Sequence, residues 1–190
     1  MKGKLTAISL ALSSVFFLGH AMASDGTVHF RGEVIDSTCE VTSDTKDQNV
    51  DLGKVNRTAF TGAGSTAAPM AFDIKLKSCP DTYTKAAVRF DGTEDASGNG
   101  DLAIGNPLNT SNPGDYTGTE PAPVTATGVA IRIYNKADNS QVKLYEKSAE
   151  TPIVSGKAAM PFIARYVATA ASVTAGTANA DSQFTVEYVK

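Results

Sequence analysis

Tryptophan is absent from this chain, and only two cysteines and two histidines occur among its 190 residues. One of those histidines, His20, falls in the leader described below, so any Ser-His-Asp or Cys-His arrangement would have to be built on His29 alone. The G-x-S-x-G and H-E-x-x-H patterns and a phosphate-cradling glycine loop are all missing. The sequence therefore offers no catalytic residue and no cofactor site. Two sulfurs and one histidine do not complete a zinc site. The run Asp95 to Gly100 places oxygen side chains where a calcium loop would begin, but the twelfth position holds Asn106 instead of a bidentate glutamate, so no metal ligand is assigned. No stretch sustains helical periodicity, and no segment after residue 23 is apolar enough to cross a bilayer.

What is present begins with an export signal. Lys2 and Lys4 precede an apolar run from Leu5 to Gly19, and Ala21-Met22-Ala23 supplies the small residues of a cleavage site. The mature chain is expected to start at Ser24, which leaves 167 of the 190 residues, enough for one domain with a sizeable core. Removing the two leader lysines from 17 basic residues leaves 15 against 20 acidic ones, a formal charge of −5 without a basic cluster. That balance argues against nucleic acid as a partner. Cys39 and Cys79, the sole cysteines of an exported chain, read most simply as a disulfide.

Period-two alternation dominates the rest. Gly26, Val28, Phe30, Gly32 and Val34 share one face of a strand whose other face carries Thr27, His29, Arg31 and Glu33. Val50 to Val55 alternates weakly, and Gly62 to Pro69 reads as a turn-rich connection. Met70, Phe72, Ile74 and Leu76 then alternate with polar or small neighbours up to Cys79, and Ala86 to Phe90 is a short strand. Residues 91–123 are polar and turn-rich. Val129, Ile131 and Ile133 pair by a turn with Val142 to Tyr145, as a hairpin. Ala158 to Thr169 is apolar on both parities, with Pro161 favouring an edge or a bulge, and Phe184, Val186 and Tyr188 alternate to the end at Lys190. The simplest architecture is an all-β sandwich. On alternation alone, Gly26 to Val34 is better read as an ordinary first strand completing its own sandwich, because most amphipathic strands pair within their own domain.

Three stretches resemble the chaperone-usher pilins, and within them the major subunits of type 1-like bacterial fimbriae. They are Gly26 to Val34 with Cys39 five residues on and Cys79 forty beyond that, Pro161 to Tyr166, and Gly176 through Asp181 to Tyr188. The resemblance implies an incomplete immunoglobulin-like sandwich, completed by a strand from a neighbouring subunit. It divides the chain into a signal (1–23), a donor extension (24–38) and a pilin domain (39–190). Gly26, Val28, Phe30, Gly32 and Val34 would be donated, and Phe184, Val186, Tyr188 and Lys190 would line the acceptor groove and bind a periplasmic chaperone. The implied partners are related pilin subunits, that chaperone and an outer-membrane usher, and the implied location is a surface fimbria reached through the periplasm. An extension of only 15 residues before Cys39 keeps a minor or adaptor subunit in view. The reading from another class is a self-contained secreted binding module, which would be a closed sandwich needing no second copy.

Overall fold

The computed structural model describes residues 28–32, 38–105 and 125–190. By contacts the chain divides into Met1–Ile35 and Asp36–Lys190. In the first unit the described residues carry no strand or helix. The leader, Gly26 and Val34 lie outside the described residues.

The second unit is two antiparallel sheets. The larger runs in the order β1 (Glu40–Val41), β2 (Thr66–Lys77), β8 (Ala158–Ala168), β5 (Val129–Asn135), β4 (Leu102–Ala103), with β6 (Gln141–Val142) also paired to β5. The smaller runs β7 (Thr151–Pro152), β3 (Lys85–Asp91), β9 (Gln183–Val189). Helix is limited to α1 (Ser43–Lys46) and one 3-10 turn, Arg57–Ala59, among the described residues.

The inner faces supply the core. Ile74 and Leu76 of β2, Val88 and Phe90 of β3, Ile131 and Ile133 of β5, and Met160 and Phe162 of β8 are all buried. Phe72, Phe90 and Phe162 meet across the two sheets, with ring centroids 5.1 to 6.1 Å apart, the spacing at which aromatic pairs add attraction beyond area burial. Cys39 and Cys79 form a disulfide that ties the residue before β1 to the chain just past β2. Closing a loop across 40 positions contributes about 4 kcal/mol by the chain-entropy estimate.

Two sequence expectations shift. β2 begins at Thr66, inside the stretch read as a connection, because a bulge between Ala67 and Met70 breaks the alternation there. Ala68 at φ 52° and Pro69, which cannot donate to a ladder, both sit in that bulge, and Met70 is left exposed. The hairpin return is also shorter than the alternation suggested. Only Gln141 and Val142 pair with β5, and Tyr145 turns away at φ 65° so that its N–H reaches the Phe90 carbonyl of the other sheet at 2.8 Å.

Pro161 lies within β8, an interior strand, yet its place is consistent with its chemistry. β5 ends at the pair Asn135↔Phe162, so at Pro161 the ladder on that side has just stopped, and the proline carbonyl accepts from Lys136 N–H at 3.1 Å.

Where α1 docks on β2, the Lys75 ammonium meets Asp44 at 2.9 Å. The Thr42 hydroxyl first, and Lys75 second, hold the Asp44 carboxyl at about 2, below its ordinary 3.8. A depressed carboxyl contributes stability that is fully present above about pH 4 and fades as pH falls toward 2. Titration of the Asp44 carboxyl by NMR should give that low midpoint, and Lys75→Met should move it part of the way back up. A midpoint unchanged by the substitution would remove Lys75 from the account.

Candidate functional site

β9 is an edge strand. One side is laddered to β3, with Phe90↔Phe184, Val88↔Val186 and Ala86↔Tyr188 in register. On its other side no strand is paired among the described residues. The next segment across is 47–53, which belongs to no ladder but keeps a strand's alternation. Gln48, Val50 and Leu52 are half-buried while Asp47, Asn49, Asp51 and Gly53 are exposed. The Gln48 amide anchors it by donating to the Asp73 carbonyl at 3.1 Å.

Between these two walls lies a cleft of about 1170 Å³. Its floor is the underside of the core: Phe72, Ile74, Phe90, Ile131, Ile133 and Tyr166. Val50 and Leu52 form one wall, and Ala178, Ala180 and Phe184 form the other. A smaller cleft of about 390 Å³ continues it past Gly53 and Tyr166 toward Phe60, Val129 and Val173. Close-packed interiors hold few voids larger than a water molecule, so a cleft of this size is an open groove between the two walls and not a packing defect.

The C-terminal half of β9 packs past the cleft. The Tyr188 hydroxyl donates to the Cys39 carbonyl at 3.4 Å, and its ring lies 4.9 Å from that of Tyr83. Further along, Tyr166 holds the far wall in place by donating to the Ala178 carbonyl at 3.0 Å. Burial raises the pKa of both tyrosines above the ordinary value, so each stays a neutral donor at neutral pH.

Of the acceptor residues named from sequence, Phe184 lines the cleft directly, whereas Val186 and Tyr188 pack half-buried on the core beside it. Lys190 is exposed beyond the end of β9. The second wall was not named. Val50 and Leu52 had a signal in their weak alternation, but Ala178 and Ala180 sit in an irregular segment with no period to find. Of the donor residues, Val28 and Phe30 are 76% and 92% exposed, and a side chain at Gly32 would meet open space. Large apolar side chains at such exposure are surface that a partner can cover.

Chemically the site is suited to binding. It offers an apolar floor, a strand edge whose backbone groups can extend a ladder, and spacing for alternate side chains, which is the geometry of strand addition.

The family described as "Fimbrial protein" matches residues 28–189. A type-1 fimbrial protein subunit of Serratia marcescens is 40% identical over 191 residues, covering 97% of each chain. The type-1 fimbrial protein A chain of Escherichia coli is 36% identical over 197 residues, covering 99% of this chain and all of its own. Among solved structures, a type I fimbria protein and antigen of Burkholderia pseudomallei superposes with a TM-score of 0.55 at 32% identity, over 81% of this chain and 91% of that one.

Proposed function

This chain belongs to the fimbrial protein family, and from that premise we propose that it builds its fibre by giving residues 26–34 to the open groove of another copy. It is a structural subunit of an extracellular fimbria, with an immunoglobulin-like fold. In the proposed contact Val28, Phe30 and Val34 face the floor of the trough and Gly32 lets the two backbones approach closely. Main-chain bonds to β9 supply affinity, and the alternate side chains fix register.

A single observation carries this reading: the trough of about 1170 Å³, with its apolar floor, beside a strand edge that is unpaired on that side among the described residues. The closed sandwich expected of a self-contained binding module would have filled it. An edge of this kind is also an aggregation hazard, which supports an escort during export. A periplasmic chaperone would lend a strand to the groove, holding the C-terminal end of β9 and Lys190, until the outer-membrane usher exchanges it for the next subunit.

Electron microscopy of cells with and without this chain tests the proposal. Long surface filaments that vanish on deletion, and return with the wild-type chain but not with Phe30→Asp, are expected of a shaft subunit. Filaments altered only in length or at the tip would assign it to a junction, and no change in filaments at all would overturn the reading.

A further inference from the structure

The trough has a charged margin as well as an apolar floor. Asp47 and Asp51 face outward on one wall, and Glu187, half-buried and just past the Gln183–Thr185 stretch that lines the cleft, stands on the outward parity of β9. Among the residues lining the larger cleft, Asp47, Asp51, Asp91 and Asp181 are acidic and Lys46 alone is basic. Asp91 is already engaged by Arg89 at 3.2 Å, but Asp47, Asp51 and Glu187 take part in no ion pair among the described residues.

The outward parity of the segment to be donated carries Arg31, of the opposite sign, together with His29 and, two positions on, the acidic Glu33. His29 and Arg31 are exposed and alternate with Val28 and Phe30, so a strand that turns its apolar face into the trough turns these two outward. Neighbouring strands lie about 4.8 Å apart. The outward side chains of a strand inserted there would therefore stand between the two walls, within reach for cross-strand pairing.

We propose that Arg31 of one copy, with His29 beside it, is recognised by the acidic margin formed by Asp47, Asp51 and Glu187 of the copy that receives it. This rests on the donor-strand reading above and adds a partner rule to it. The floor accepts any strand of the right apolar spacing, whereas the margin selects one that carries a basic residue at the Arg31 position and rejects one that carries an acidic residue there. Selectivity of this kind needs the repulsive element as much as the attractive one.

The test follows fibre assembly from purified full-length mature subunits by pelleting, at low salt and at about 0.5 M salt, where the screening length falls to a few ångströms. Arg31→Glu should slow assembly about three- to tenfold at low salt, and the deficit should shrink at high salt. Combining Arg31→Glu with Glu187→Lys, or with Asp51→Lys, should recover most of the lost rate. The inference is overturned if Arg31→Glu assembles like the wild type at low salt, if salt leaves the deficit unchanged, or if neither charge swap recovers it. Phe30→Ser separates the two levels. If it assembles normally, the donor-strand reading itself falls, and if it fails while Arg31→Glu is neutral, only the charge rule falls.

Discussion

A chain shortened to begin at Thr38 is expected to fold as an acceptor that cannot donate, and to gain stability when the missing segment is returned as a peptide. The compact unit Asp36–Lys190 contains both sheets and the disulfide, so the shortened chain keeps its core. Its trough is open, and burying Val28, Phe30 and Val34 there is worth at most about 5 to 9 kcal/mol of transfer free energy. Association costs of comparable size oppose this, so added backbone bonding to β9 decides the balance. At a peptide concentration 100 times its Kd, the shortened chain should gain about 2.7 kcal/mol, or about 5 to 10 °C in Tm for a domain of this size. A peptide carrying Phe30→Asp would set a charge on the floor formed by Phe72, Ile74 and Phe90 and should bind at least about 100-fold more weakly. In assembly the shortened chain should end fibres instead of extending them. If it is as stable as the intact chain and indifferent to the wild-type peptide, the groove is not an acceptor.

The parts of this arrangement that could be read from the residues are those where one face is apolar and the other polar. Ile74 and Leu76 against Asp73, Lys75 and Lys77 gave β2 its later half, and Phe184, Val186 and Tyr188 gave β9. The start of β2 was hidden because the bulge at Ala67 to Met70 resets the parity. β8 was ambiguous for a different reason: Val167 and Ala168 are buried along with Tyr166, so its end is apolar on both faces and carries no alternation. The trough itself is only half legible. Its β9 wall is periodic, but the wall of Val50 and Leu52 alternates without a ladder, since no strand pairs with it among the described residues. Ala178 and Ala180 line the site through backbone path alone, held by the Tyr166 hydroxyl, and small residues in a loop announce nothing about what they face. Asp101 was least visible of all: it sits at the end of a polar, glycine-rich run yet is 1% exposed.

That buried carboxylate sets up the second large expected effect. Arg132 grips Asp101 through two hydrogen bonds of 2.6 and 2.7 Å, a bidentate fit, and the Gln141 amide adds a third at 3.1 Å. The bond to Asp101 pushes the guanidinium pKa further up, so the arginine is charged at any working pH. The pair ties the chain entering β4 to β5 and β6 at once. It also answers a local conflict, because Arg132 stands opposite Arg165 across the β5–β8 ladder, and like charges directly opposite are unfavourable. Arg165 is drawn aside over the Tyr134 ring at 4.7 Å and bonds Asn139 at 2.9 Å, while Asp101 neutralises Arg132. Replacing Arg132 by Met should therefore cost about 3 to 5 kcal/mol in chemical denaturation, since it strands a carboxylate in the interior. Replacing both partners, Asp101→Leu with Arg132→Met, should cost far less than the single change, because no charge is then left unpaired. The two residues flanking Arg132 on β5, Ile131 and Ile133, point the other way and pave the trough. Destabilising β5 from its outer face should therefore weaken strand capture as well as folding, and peptide binding to the Arg132→Met chain should fall while the double replacement restores it. A single replacement costing under about 1 kcal/mol would mean that water reaches Asp101, and the floor of the groove would have to be held by something other than this pair.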